Sequence, residues 1–103
     1  MQLRVESWQK SQLPNENELR QIYRQEGLSP YAWSNHPGDF YPAHSHAYNK
    51  VLVVVRGSIT WILPESGQEI ETFPGDRIDL PAGVQHAAQV GPLGVTCLEA
   101  HCG

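Results

Sequence analysis

The pattern of hydrophobic and polar residues divides the chain into one helical segment and a series of short strands. Residues 15–25 carry an apolar stripe at helical spacing, and we expect one helix there. The stripe consists of Leu19, Ile22 and Tyr23. Asn15 is a suitable N-cap and Gly27 is placed to end the helix. Beyond this segment, apolar residues fall into short runs separated by Gly and Pro, which is typical of an all-β sandwich or barrel.

Short strands are predicted along the rest of the chain. They cover residues 31–34, 41–46, 50–56, 58–63, 69–73, 77–80, 85–90 and 95–100. Leu3 and Val5 alternate with polar neighbours and predict a short edge strand before the helix. We therefore expect an all-β fold with one short N-terminal helix, in a single domain over residues 1–103. Residues 1–30 would form a strand and helix segment that packs on the barrel, and residues 31–103 the barrel itself.

The run at residues 51–55 is apolar on both faces, which indicates a strand buried on both sides. We expect one face, with Leu52 and Val54, to line the interior. The opposite face consists of Val51, Val53 and Val55. That face has to be covered as well, either by the amino-terminal segment or by a second subunit.

Composition and charge narrow the function classes. The net charge is −4 and only 17% of residues are charged, with no basic patch, so we expect no nucleic-acid partner. No window approaches 18 apolar residues and the amino terminus lacks an apolar stretch, so neither a membrane span nor a signal peptide is expected. Cys97 and Cys102 would face opposite sides of a strand, and no disulfide is expected. A cytoplasmic setting is predicted.

The candidate chemistry lies in histidines. His44 and His46 are two residues apart, so on a strand both imidazoles point to the same side. Two such imidazoles are half of a typical nitrogen-ligated metal site. His86 supplies a third, after the turn-forming residues 81–83. Three histidines are enough to hold a metal that keeps open positions for a ligand.

These two stretches resemble the two motifs of the cupins, which are small jelly-roll β-barrels. At the spacing of the first motif stand Gly38, His44, His46 and Gly57. At the spacing of the second motif stand Gly75, Pro81, Gly83 and His86. The chain departs from the family at two positions, with Lys50 in place of a glutamate and Val90 in place of an asparagine.

The resemblance implies a single small cupin-type jelly-roll barrel with His44, His46 and His86 as metal ligands. It places these side chains and residue 50 in the barrel interior, with the chain reversing after His46 and with His86 arriving from the opposite sheet. Imidazole ligands suit several divalent transition metals, and the sequence does not choose among Fe, Zn, Ni, Mn and Cu. Because cupins commonly pair through their sheets, the resemblance also implies a homodimer.

Lys50 leaves three alternatives open, because an ammonium beside a divalent ion is repelled by it. The side chain could turn away and pair with an acid such as Glu99 or Asp79. It could lose its proton, as buried lysines do. Or the metal could be absent, with Lys50 and the histidines binding an anion. Lys50 and Tyr48 are the candidates for a catalytic role.

Two functions follow as hypotheses. The first is a metal-dependent enzyme, dioxygenase- or isomerase-like, that acts on a small polar or anionic metabolite. The alternative is a non-catalytic protein that binds a small molecule or anion, or a sensor, with no metal because of Lys50. Chelator sensitivity would favour the first, and stabilisation by anions alone the second.

Overall fold

The computed structural model describes residues 1–102. Within these residues, one helix and seven strands follow one another. They are β1 (Arg4–Glu6), α1 (Glu16–Gln25), β2 (Tyr31–Asn35), β3 (Phe40–His44), β4 (Asn49–Leu63), β5 (Gln68–Thr72), β6 (Arg77–Leu80) and β7 (His86–Cys102). All strand pairs are antiparallel. The predicted all-β class with one short N-terminal helix is confirmed.

Strands β4 and β7 are long, and each runs through both layers of the fold. In β4, residues 50–53 pair with β6 and residues 59–63 pair with β5. In β7, the first residues pair with β3 and residues 95–99 pair with β2. One layer therefore has the order β1-β6-β4-β7-β2, and the other contains β5, β4, β7 and β3. Apolar side chains of both layers meet in one interior cluster.

The predicted breaks within these two strands were wrong. Residues 50–56 and 58–63 belong to the single strand β4, and residues 85–90 and 95–100 mostly to β7. The pairing of β4 with β7 shifts register on both sides of Gly57, where the strand bends. Gly57 has φ +79°, and a Cβ there would collide with the carbonyl oxygen of Gly94. The glycine thus marks a bend within a continuous strand, although in the sequence it has the character of a turn.

Helix α1 covers the outer face of β4. Leu19 and Tyr23 are 2% exposed and pack in a second apolar cluster with Val51 and Val53. The hydroxyl of Tyr23 lies 2.9 Å from the carbonyl oxygen of Val51 and 3.1 Å from that of Leu98. The sequence left two alternatives for what covers this face, the amino-terminal segment or a second subunit, and in the structure the amino-terminal segment covers it.

The ends of α1 follow the signals in the sequence. The Asn15 side chain accepts a hydrogen bond of 2.8 Å from the backbone N–H of Glu18. At the other end Gly27 has φ +76°, and the Leu28 N–H donates to the Tyr23 carbonyl at 2.9 Å. This is the glycine-terminated helix end that the sequence predicted. Among the described residues, no helix has the length and apolar character to cross a membrane.

Candidate metal centre

The register of β3 and β7 brings two of the three histidines together. His44 is the last residue of β3 and His86 the first of β7, and the two are directly opposite each other. The expectation that His86 arrives from the opposite sheet was therefore wrong. Because β7 crosses between the layers, its first part lies beside β3 in the same layer.

The chain reversal after β3 positions His46. The backbone carbonyl of His46 accepts a hydrogen bond of 2.9 Å from the N–H of Gly83. At the start of β4, the side chain of Asn49 accepts one of 2.8 Å from the N–H of Ala82. Gly83 has φ +82°, a conformation that favours glycine. The turn before His86 thus holds the loop that carries His46, and the two sequence motifs form one site.

The three imidazoles converge on one point. One ring nitrogen each from His44, His46 and His86 lies within 4.8 Å of the others. The Nδ1 atom of His44 lies 2.9 Å from the Pro42 carbonyl, and that of His86 lies 3.0 Å from the Val84 carbonyl. A carbonyl only accepts, so both Nδ1 atoms carry the proton. The Nε2 lone pairs of His44 and His86 are therefore free to bind a metal, in the arrangement common among metal-ligating histidines.

Burial keeps two of these rings neutral. Burial lowers the pKa of His86 from 6.5 to about 4, against the opposing effect of the Val84 carbonyl. The pKa of His46 is lowered by burial first, and then by the charges of Lys50 and His44. Metal ligation requires the neutral imidazole. The site is therefore ready to bind a cation at neutral pH without displacing protons from these two rings.

The donor set fits a divalent transition metal. Three neutral imidazoles make up a known open site for Zn²⁺, and they suit Fe, Cu and Ni as well. Two nitrogens bound tetrahedrally to one ion at about 2.1 Å are about 3.4 Å apart. Since these nitrogens are separated by up to 4.8 Å, binding of an ion would require them to approach each other by about 1 Å or more. The exposed His44 and the half-buried His46 are the side chains with room to move.

Lys50 lies inside the site and is paired with a carboxylate. Its Nζ is 3.1 Å from Nε2 of His46 and 3.8 Å from Oε1 of Glu99. Burial lowers the pKa of Lys50, and the Glu99 carboxylate acts in the opposite direction. The other acid considered, Asp79, is bound by Arg77 at 2.9 Å. Lys50 thus pairs with Glu99 as one alternative expected, but it does so without leaving His46.

Glu99 is the centre of a hydrogen-bond network. It accepts from the Tyr31 hydroxyl at 2.6 Å, from His101 Nε2 at 2.8 Å and from the Trp33 indole at 3.1 Å. Burial would raise the pKa of the Glu99 carboxyl, but these hydrogen bonds and the charge of Lys50 outweigh it and lower the pKa. The carboxylate is therefore ionised at neutral pH, and it accepts three hydrogen bonds from the protein.

The histidines and Lys50 line a cavity of about 410 Å³. Its walls also contain apolar and aromatic side chains, namely Tyr31, Trp33, Tyr41, Leu52, Ile59, Trp61 and Ala88. The sequence reasoning missed Tyr31 and Trp33 as wall residues, although their i, i+2 spacing on a predicted strand is the signal that places them on one face.

Tyr48, the second catalytic candidate, is not part of the cavity wall. Its ring is stacked between His46, at a centroid distance of 5.1 Å, and His101, at 4.0 Å. The Tyr48 ring therefore contacts one of the candidate metal ligands, His46, and lies outside the side chains that line the cavity.

Comparison with known proteins identifies the fold. The sequence matches no protein-family model and no curated protein. Among solved structures, an RmlC-like cupin from Shewanella frigidimarina is 23% identical, with a TM-score of 0.62 over 72% of this chain and 64% of that one. The polyketide cyclase RemF from Streptomyces resistomycificus is 27% identical, with a TM-score of 0.62 over 74% of this chain and 55% of that one. The DMSP lyase DddQ from Ruegeria pomeroyi is 24% identical, with a TM-score of 0.66 over 74% of this chain and 38% of that one.

The chain therefore has the cupin fold, as its two motifs predicted, and its antiparallel strands form the expected jelly roll. It spans between 38% and 64% of the length of these three proteins. The clustering of three histidines at the wall of the cavity is a property of this chain itself.

Proposed function

We propose that this chain is a metal-binding cupin that acts on a small molecule as a metal-dependent enzyme. The observation that supports it most is the convergence of three imidazole nitrogens within 4.8 Å, on the wall of a cavity of about 410 Å³. A divalent ion held by His44, His46 and His86 would supply a Lewis acid for an oxygen of the ligand. The fold is shared with a polyketide cyclase and a DMSP lyase, which supports an enzymatic role.

The chain's own side chains would have distinct tasks in this function. The Pro42 and Val84 carbonyls hold the rings of His44 and His86 in their tautomer and orientation. Lys50 would donate to an oxygen of the ligand on which negative charge develops. The aromatic walls would keep water away from that oxygen, which strengthens the interaction with the ammonium.

A thermal-shift measurement tests the proposal. Addition of Zn²⁺, Ni²⁺ or Fe²⁺ to chelator-treated protein is expected to raise Tm by several degrees, because an ion that binds only the folded state stabilises it. His86→Ala should abolish the shift. The matched control is His36→Ala, since the His36 side chain is 93% exposed and stands outside the cavity. A shift of the same size in both variants would contradict the proposal.

A second function is favoured by the contact between Lys50 and His46. An ammonium that donates to His46 Nε2 occupies the nitrogen that a metal would take. The alternative is therefore a non-catalytic protein, a carrier or sensor, in which Lys50 and the histidines bind an anion without metal. Stabilisation by anions, with no response to metal or chelator, is the result that distinguishes it.

The proposal includes a homodimer in a cytoplasmic setting. The expected sheet face is covered by α1, so the support for a dimer comes from β1, a strand at the sheet edge. Its residue Val5 and the preceding Leu3 are 40% and 36% exposed. Light scattering at tens of micromolar tests the dimer, and a monomer would remove it.

A further inference from the structure

The ammonium of Lys50 has more donors than the protein satisfies. The residue is 8% exposed, and an ammonium carries three N–H donors. Among the described residues, only His46 Nε2, at 3.1 Å, accepts a hydrogen bond from it. The nearest oxygen of Glu99 is 3.8 Å away, which is beyond hydrogen-bond distance. Since Lys50 lines the cavity, the acceptor that these donors lack is expected to come from a ligand.

The charge of the site indicates what kind of acceptor this is. The three imidazoles are neutral ligands, and the charge of Lys50 is offset by Glu99. This step rests on the proposed function: a divalent ion on the histidines leaves the site with two uncompensated positive charges. The ion would also take the His46 nitrogen that now accepts from Lys50, which frees a further N–H. An anionic oxygen satisfies both the charge and the donors.

The rest of the cavity indicates the body of the ligand. Beyond Lys50 and the histidines, four side chains of the wall are polar, namely Tyr31, Ser34, Asn35 and Glu99, and the Glu99 carboxylate is held by Tyr31, Trp33 and His101. The other six wall residues are mainly apolar, and they are Trp33, Tyr41, Leu52, Ile59, Trp61 and Ala88. Three of these six side chains are aromatic, and aromatic rings pack well against a flat ring. A volume of about 410 Å³ has room for about a dozen water-sized groups, the size of one substituted ring.

We propose that the ligand of this cavity is a small aromatic acid, or the enolate or phenolate that presents the same anionic oxygen. The oxygen would be held by Lys50 beside the three histidines, and the ring would lie between Trp33, Tyr41 and Trp61. If the protein is the proposed enzyme, a small aromatic acid is its substrate class. If it does not turn over a substrate, the same acid is the ligand of a binding protein.

Calorimetric titration of the Zn²⁺-loaded full chain with three probes tests this assignment. The probes are 2-hydroxybenzoate, its neutral analogue 2-hydroxybenzamide, and 2-hydroxypropanoate, which keeps the acid and hydroxyl but lacks the ring. We expect 2-hydroxybenzoate to bind about tenfold more tightly than either of the others, as one charge-assisted hydrogen bond or one buried ring implies. Equal or tighter binding of the amide, or of the aliphatic acid, would overturn the assignment.

A substitution of Lys50 separates its role from that of the metal. Lys50→Met should reduce the preference for 2-hydroxybenzoate over 2-hydroxybenzamide by about tenfold while zinc remains bound, and Lys50→Arg should keep the preference. An unchanged preference in a folded Lys50→Met protein would refute the role of the ammonium. If Lys50→Met does not fold, the probe comparison on the wild type still decides.

The same titration distinguishes failure of the ligand assignment from failure of the proposed function. If zinc does not bind the wild type, the metal-dependent function fails, and the three probes are titrated into the metal-free protein. The same order of affinities there would uphold the aromatic acid as ligand, and any other order would reject it.

Discussion

The Nζ atom of Lys50 lies 3.1 Å from the Nε2 atom of His46, so a positive charge touches a nitrogen of the proposed metal site. Cupin sequences place a glutamate at this position of the motif. Here the carboxylate comes from Glu99 on the neighbouring strand, 3.8 Å from the ammonium. The pair keeps a carboxylate near the histidines, but it inserts a cation between that carboxylate and any bound ion.

Replacing Lys50 by methionine should therefore tighten metal binding. The substitution removes a repulsion that is about 4 kcal/mol per unit charge at 4 Å and an effective dielectric of 20. Even a third of that corresponds to about a tenfold lower Kd for Zn²⁺, measured by calorimetry. Lys10→Met is the control, because the Lys10 side chain is 66% exposed and pairs with Glu18. Weaker binding in Lys50→Met would show that Lys50 supports the ion.

The metal-free protein should lose stability as the pH falls below 6.5. The folded-state pKa of His86, about 4, lies below its usual 6.5, so the unfolded chain takes up the proton first. The contribution of the neutral His86 ring to the free energy of unfolding is complete above pH 6.5 and is lost as the pH falls toward 4. It amounts to about 2 kcal/mol between pH 7 and pH 5. Urea unfolding at these two pH values measures it.

The control for this pH dependence is His86→Leu, which removes the titrating ring from the same buried position. Its free energy of unfolding should fall by about 2 kcal/mol less than that of the wild type over the same interval. Equal losses in both proteins would mean that folding does not lower the pKa of His86, which would contradict the statement that burial keeps this ring neutral.

Glu99→Gln should destabilise the protein by about 2–4 kcal/mol, because it leaves the buried ammonium of Lys50 without its charge partner. The amide also turns one acceptor oxygen into a donor, which opposes the Tyr31, Trp33 or His101 donor that faces it. Urea unfolding at pH 7 is the measurement. Glu71→Gln, at an exposed position of β5, should stay within about 0.5 kcal/mol of the wild type. If Glu99→Gln changed the free energy of unfolding as little as Glu71→Gln does, Glu99 would not be the charge partner that stabilises the Lys50 ammonium.

The contact of α1 with the sheet can be tested through one hydroxyl. Tyr23→Phe should cost about 1–2 kcal/mol of unfolding free energy, because the hydroxyl bonds the carbonyls of β4 and β7 in a buried position. Tyr41→Phe is the matched control, since the Tyr41 hydroxyl has no hydrogen-bond partner among residues 1–102 and its loss should cost under about 0.5 kcal/mol. If Tyr41→Phe lost more unfolding free energy than Tyr23→Phe, the Tyr23 hydroxyl would not anchor α1 to the sheet.

The parts of the fold that depend on local chemistry were predictable from the sequence. Asn15 and Gly27 bound the helix as their capping properties indicate, and Gly83 permits the turn that leads into His86. The prediction that His44 and His46 share one face of a strand was wrong, because β3 ends at His44 and the chain reversal that follows brings His46 to the site. The bend at Gly57 was misjudged, because a glycine with positive φ looks the same in the sequence whether it ends a strand or bends it.

The parts that depend on strand register were not predictable. His86 lies beside His44 only because β7 crosses between the layers, and Glu99 reaches Lys50 only because it pairs with Leu52 on β4. Both relationships join residues more than 40 positions apart, and alternation within one strand carries no information about its partner. The sequence does not tell in which layer a strand lies or which of its faces lines the cavity. Only the structure shows that Tyr31 and Trp33 form part of the cavity wall.

The most direct test of the central claim is the metal content of tag-free protein by mass spectrometry, with His86→Ala measured alongside. We predict close to one equivalent of a transition metal per chain in the wild type and its loss in the variant. That result would mean that three histidines hold an ion in spite of Lys50. No metal in the wild type, even after incubation with iron, nickel and zinc, would contradict the claim and leave Lys50 and the histidines as an anion-binding site.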